Sequence, residues 1–256
     1  MTSSKAQTTI FIIVAIVIVA AAISLYYLTN SSSQSNLEKS FSELGIKTQA
    51  LLVQSSIFSC LEDTSRASLD VIGIQGGYYE KPSKHFDLGW AFIPYYYDQG
   101  DFLKPETPTI EKELAKYLDN NLDFCIQELS YNDFQLSHDT TNSKAKIQEN
   151  SVKFTIDSTF SIKKDTLSSE FTLSNHPIEI ESALSEILEV ADYITDSHRE
   201  DPDLICISCV ADMAETRNLY VDMLDFDEET TTLVVISENY TYSEPYIFEF
   251  LNRYPA

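Results

Sequence analysis

The residues best suited to chemistry are four cysteines and four histidines in a chain of 256 residues. Cys60, Cys125, Cys206 and Cys209 form an even set, which in an oxidising compartment reads as two disulfides, and four cysteines allow three pairings. The favoured pairing joins Cys60 to Cys125, which lie on two separate segments of helical periodicity. Cys206 and Cys209, three apart, are then left to bond each other. A Cys60–Cys125 bridge closes a loop of about 65 residues, worth roughly 4 kcal/mol through its effect on the unfolded chain. The Cys-Ile-Ser-Cys spacing also fits sharper chemistry. At a helix N-terminus it would favour a thiolate, the reactive form in thiol–disulfide exchange, although no βαβ pattern surrounds it. A zinc site would need all four thiols to converge, or a histidine to join them. Unpaired structural thiols are the remaining reading.

His85, His138, His176 and His198 stand far apart in unlike contexts, so they read as solvated or hydrogen-bonded side chains rather than a ligand set. Residues 197–201, Ser-His-Arg-Glu-Asp, suit a helix end, where His198 and Arg199 meet the negative pole of the helix dipole. Asp222, Asp225, Asp227, Glu228 and Glu229 carry oxygens that calcium accepts, but they lack the EF-hand spacing and its glycine. They read as a polar turn. No serine sits in a nucleophile elbow and no glycine loop is built for phosphate. The sequence asks for no cofactor and no metal, and an enzyme is not expected. The best candidate for an interaction surface is the aromatic set Tyr78, Tyr79, Trp90, Tyr95, Tyr96 and Tyr97, since aromatics dominate interface hot spots. The competing role for the same residues is to fill a seam between loop and helices. Asn30 and Asn239 begin sequons that accept glycans if the chain is exported.

These groups need elements to hold them. Hydrophobic residues make up 43% and aromatics 12%, which places the chain among folding rather than disordered sequences. Residues 10–28 are apolar apart from Ser24, and a helix of this length covers about 28 Å, close to a bilayer core. The only charged side chain before Glu38 is Lys5, so the positive-inside rule keeps the leader, residues 1–9, cytoplasmic and sends the rest out. The expected location is the cell membrane, single-pass, with the C-terminal part outside. A cleaved signal peptide ending near Ala22 is the competing reading. The net charge of −23 excludes nucleic acid as a natural partner and suits a solvated outer surface. The expected partners are the lipid bilayer through residues 10–28 and, by self-association or otherwise, envelope proteins.

Residues 29–36 form a polar connector rich in serine. Apolar spacing predicts a long helix over 37–72, stopped at Gly76 and Gly77, and then an irregular aromatic loop over 78–108. Thr107 and Pro108 signal the start of a second helix. Residues 37–136 therefore read as a helical region with an aromatic loop, joined by a polar linker at 137–143 to an α+β domain over 145–256. Within that domain, strict alternation predicts a strand at 152–162 with a partner at 169–173. Helices follow at 180–197 and 206–217, then strands at 219–226, 231–237 and 245–252. The fold class is α+β: a transmembrane helix continuing into a helical stalk, then an antiparallel sheet packed with helices.

The stretch Lys5-Ala6-Gln7-Thr8-Thr9-Ile10-Phe11 resembles the leader of archaeal type IV pilin-like proteins. That resemblance implies processing between Ala6 and Gln7. Phe11 stands where the bacterial members carry a glutamate. More broadly, residues 7–13, the Gly-Gly-Tyr element at 76–79 and the aromatic run 246–253 resemble a group of uncharacterised single-pass membrane proteins of small-genome archaea. The resemblance implies a membrane-anchored surface protein with a structural or adhesive role, including a pilin-like subunit. An envelope thiol–disulfide or metal-binding factor using Cys206 and Cys209 is the first alternative. A surface receptor or accessory subunit that does not polymerise is the second.

Overall fold

The computed structural model describes residues 39, 42, 50–129, 131, 134–199, 201, 205–227, 230–239 and 245–255. The leader with Ala6 and Gln7, the apolar segment 10–28, the connector and Asn30 lie outside these. Among the described residues no helix is long and apolar enough to cross a membrane.

The first helix, α1, spans Ala50–Ile74, and Lys39 and Ser42 are helical as well. It ends where glycine permits. Gly77 donates its backbone N–H to the Ile72 carbonyl at 2.8 Å, and both Gly76 and Gly77 have positive φ, 51° and 87°. Gly76 also sits against other backbone. A Cβ there would lie 2.5 Å from the Glu249 carbonyl oxygen and 2.5 Å from Pro94 Cγ. Gly76→Ala combines an unfavourable φ with this clash, and the expected loss is roughly 2 kcal/mol, read as a lower urea midpoint at unchanged slope. A midpoint equal to that of the parent would contradict the account.

The aromatic stretch that follows is not an irregular loop. It holds β1 (His85–Asp87), β2 (Phe92–Asp98) and β3 (Asp101–Phe102). Next comes α2 (Thr107–Glu128), with Pro108 in its first turn. Its N-cap is Glu106 rather than Thr107, and no side chain caps it. The polar stretch at 137–143 is not a linker either, because β4 (Gln135–His138) and β5 (Asn142–Gln148) occupy most of it. The alternating segment forms β6 (Ser151–Lys164), whose long partner is β7 (Leu167–Glu181). Helix α3 (Leu184–Ser197) starts four residues later than the spacing suggests, because Ile180 still pairs with Val152 in β7. Helix α4 (Ile207–Thr216) and strands β8 (Leu219–Asp227), β9 (Thr231–Glu238) and β10 (Ile247–Arg253) complete the described chain.

Two sheets result. In the smaller one, β6 pairs on one edge with β5 and then β4, and on the other with β7, all antiparallel. The larger has the order β1-β2-β10-β9-β8, with β3 added beside β2. It is mixed rather than purely antiparallel, since β2 runs parallel to β10. That pairing also removes the expected boundary between a helical region ending at 136 and a domain starting at 145, because the early strand β2 lies inside the late sheet. The fold is α+β. Helix α2 covers β4 and β5, α1 bridges α2, β7 and β10, and α3 touches β5, β6 and β9. One continuous apolar core includes Ile57, Leu118, Phe154, Ile187, Ile236 and Phe250 from six of these elements.

A buried ion cluster fixes the β2–β10 seam. The Asp98 side chain is 3% exposed. Its carboxylate accepts from Lys84 Nζ at 2.9 Å, Arg253 Nε at 2.7 Å and Arg253 Nη2 at 2.6 Å. Burial alone would raise the Asp98 carboxyl, but these two cations outweigh it and hold the group below the ordinary carboxylate range.

Candidate functional site

Both cysteine pairs form disulfides. Cys60 on α1 bonds Cys125 on α2, with Cα atoms 5.7 Å apart, and Cys206 bonds Cys209 with Cα atoms 5.2 Å apart. They occupy different surroundings. Cys60 is 3% exposed and lies in the apolar core, whereas Cys206 is exposed and Cys209 half-buried at the surface. Cys206 is the N-cap of α4, and its Sγ accepts the Cys209 backbone N–H at 3.3 Å. The Ser208 hydroxyl lies 3.6 Å from the same sulfur. Donors at the positive end of a helix stabilise negative charge on a sulfur placed there.

Beside this disulfide runs an apolar groove of about 650 Å³, lined by Ile207, Val210, Ala214, Leu219, Val221 and Met223. Ile207 is 63% exposed and Tyr220, also on the groove wall, 59%. Exposed apolar side chains clustered around a depression mark interaction sites more than isolated ones do. The groove meets a second depression of about 330 Å³ at Asn218 and Asn239. The Asn239 side-chain amide donates to Asn218 Oδ1 at 3.0 Å, so this sequon asparagine stands in the wall, with Tyr240 and Thr241 outside the described residues. That depression in turn shares Glu181, Ser182 and Glu238 with a third, of about 820 Å³, bounded by α1 and the start of β10. These adjoining depressions are together a trough, apolar at α4 and carrying Asp70, Glu181 and Glu238 toward α1.

Glu238 is the central buried group of the acidic end. It is 5% exposed and accepts from the backbone N–H of Ala183 and from that of Tyr246. Tyr246 is also buried. Burial, then Glu238 and Asp70, pushes its hydroxyl far above the ordinary phenol range. Its ring leaves no room for a side chain at Gly73 of α1, which brings the helix against the first residues of β10. Arg217 locks the α4 side, donating from Nε and Nη2 to Glu189 of α3 at 3.0 and 2.7 Å.

The aromatic set does not form one surface. Tyr96 and Tyr97 are 1% and 2% exposed and belong to the core. Tyr96 stacks on Phe250 at 4.3 Å and donates its hydroxyl to the Gly76 carbonyl at 3.0 Å. Tyr97 stacks on buried His198 at 4.9 Å, and Asn252 and Tyr254 each lie 3.4 Å from the His198 Nε2. Tyr78 and Tyr79 are half-buried against Leu103 and Tyr117, and Tyr95 is half-buried beneath Arg253. Trp90 alone of the six is widely open, at 79%, on the turn between β1 and β2. The reason is that β2 is an inner strand, flanked by β1 and β10, so its side chains face packed layers.

The remaining candidates disperse. The His138 ring contacts Asp123 at 2.8 Å and His85 contacts the Pro82 carbonyl at 2.7 Å; they stand on different sheets, and neither lines the trough. Asp222 and Asp225 are exposed on β8, and Glu228 and Glu229 lie outside the described residues. Among the described residues no group of three or more histidines, cysteines or acids is arranged to hold a metal. The trough itself had a signal in the sequence. Glu238 falls on the same parity as Val234 and Ile236, the inward positions of β9, and a glutamate at an inward position marks a special site. No family model, curated protein or solved structure matches the chain. The functional reading therefore rests on the residues themselves.

Proposed function

We propose that this chain is a single-pass surface protein, held in the lipid bilayer by residues 10–28, whose outer domain acts by adhesion or receptor-type recognition. The observation that carries the reading is the pairing of all four cysteines in two disulfides. Such bonds persist outside the reducing cytosol, and here they follow an apolar segment of bilayer length. The acidic outer surface adds support by disfavouring nucleic acid and favouring basic partners. The trough supplies a shaped recognition surface, which favours the receptor version over a purely structural subunit. In a pilin-like version, cleavage between Ala6 and Gln7 frees the apolar helix for self-association with other copies.

Two readouts on native cells test this. The chain is expected in the membrane fraction, with Cys206 and Cys209 alkylated by a membrane-impermeant reagent only after reduction of intact cells. A mature N-terminus at Met1 or Thr2 gives a plain anchor, and one at Gln7 gives the pilin-like form. A mature N-terminus at Ile23, or a soluble chain with four reduced thiols, would overturn the proposal.

A further inference from the structure

We propose that the Cys206–Cys209 disulfide is an exchangeable oxidant for thiols carried on extended basic polypeptides that lie in the trough beside it. The inference goes beyond surface recognition and does not depend on how the chain meets the membrane. Four observations converge on it. Cys206 is exposed, whereas Cys209 is half-buried, so an incoming thiolate reaches Cys206 Sγ first. That sulfur already accepts the Cys209 N–H at 3.3 Å at the N-terminus of α4, which stabilises it as a departing thiolate. Ile207 and Val210, from the same first turn, line the apolar groove, so a bound chain passes directly beside the disulfide. Finally, the trough's two arginines are already matched, Arg66 by Glu62 and Arg217 by Glu189, Glu181 on its wall is exposed, and the chain carries a net charge of −23, which together favour a basic occupant.

The exchange balances in two steps. A client thiolate attacks Cys206 Sγ, the Cys206–Cys209 bond breaks, and Cys209 leaves as a thiolate that takes up a proton. A second client thiolate then attacks the client sulfur of this mixed disulfide and releases Cys206 as a thiolate, which is protonated in turn. The client's two thiols become one disulfide, and Cys206–Cys209 becomes a dithiol. A low-molecular-weight disulfide such as oxidised glutathione returns the pair to its starting state by the reverse chemistry.

The structural alternative is that the bond merely caps α4. The full chain in detergent separates the two. In a glutathione redox titration read by mass spectrometry of alkylated peptides, Cys206–Cys209 is expected to open while Cys60–Cys125 remains closed. Opening of both together, or of neither, overturns the proposal. With Cys209→Ser, a synthetic peptide bearing a single cysteine among lysines and leucines is offered as the mixed disulfide of that cysteine with a chromogenic thiol. It is expected to be captured at Cys206. Ile207→Asn and Tyr220→Asn, both at exposed positions, are expected to slow that capture about tenfold through lost apolar contact. Capture of glutathione from the corresponding chromogenic mixed disulfide should stay within about twofold, since a small thiol needs no groove. Equal effects on both probes, or none on the peptide, overturn the proposal.

Discussion

Replacing Cys60 and Cys125 together by alanine is expected to lower stability by about 4 kcal/mol and the melting temperature of the full chain in detergent by roughly 10 °C. The size follows from the 65-residue separation of the two cysteines, whose ends the unfolded chain must otherwise bring together. The bridge also joins α1 to α2 at a point where Cys60 is buried against the core, so the variant loses packing as well. Cys206→Ala/Cys209→Ala is the internal control. Its sulfurs are only three residues apart, and the same chain-entropy relation assigns the bond about 1.5 kcal/mol. Calorimetry of the two double variants reads both numbers. A fall of under about 2 °C for the core pair, or equal falls for both, would remove the Cys60–Cys125 bridge as the principal clasp of the helical layer.

Asp98→Asn is expected to cost roughly 2–3 kcal/mol at neutral pH, because it removes the shared acceptor of Lys84 and Arg253 from a buried position. The cost stays at the low end for a buried pair since Lys84 and Arg253 keep 51% and 32% of their side chains exposed and regain water when released. The pH dependence identifies the mechanism. The folded Asp98 carboxyl titrates below its unfolded counterpart, near 3.9, so the ion cluster contributes in full above that value. The contribution is lost as pH falls from about 4 through the lower folded value. Denaturant midpoints of parent and variant should therefore differ at pH 7 and converge in acid. A difference that persists unchanged in acid would mean that Asp98 acts through packing rather than charge.

The parts of the fold legible in the sequence were those with a local period. Alternation at 152–162 produced β6, helical spacing produced α2 and α4, and Gly76 and Gly77 stopped α1 where their backbone freedom is needed. The two cysteine pairings were legible because pairing follows from which elements carry the thiols. Strand β2 was not. Its run Phe-Ile-Pro-Tyr-Tyr-Tyr-Asp is buried on nearly every residue and shows no alternation, and Pro94 counted against a strand. The triple tyrosine therefore left an interaction surface and a seam-filling role side by side, and two of its members are core. The trough showed only through inward-facing Glu238. Its walls come from α1, the end of β7, the β9 end and α4, which only tertiary packing brings together.

The parallel pairing of β2 with β10 sets the order in which this molecule can be made. β10 lies between β2 and β9, so the larger sheet has a vacant central place until residues 247–253 have been made. Leu251 must find Tyr95 across more than half the chain, a distant contact that slows folding and keeps the early aromatic strand unmatched meanwhile. The seven residues of β10 therefore complete the larger sheet only after every other strand of it has been made.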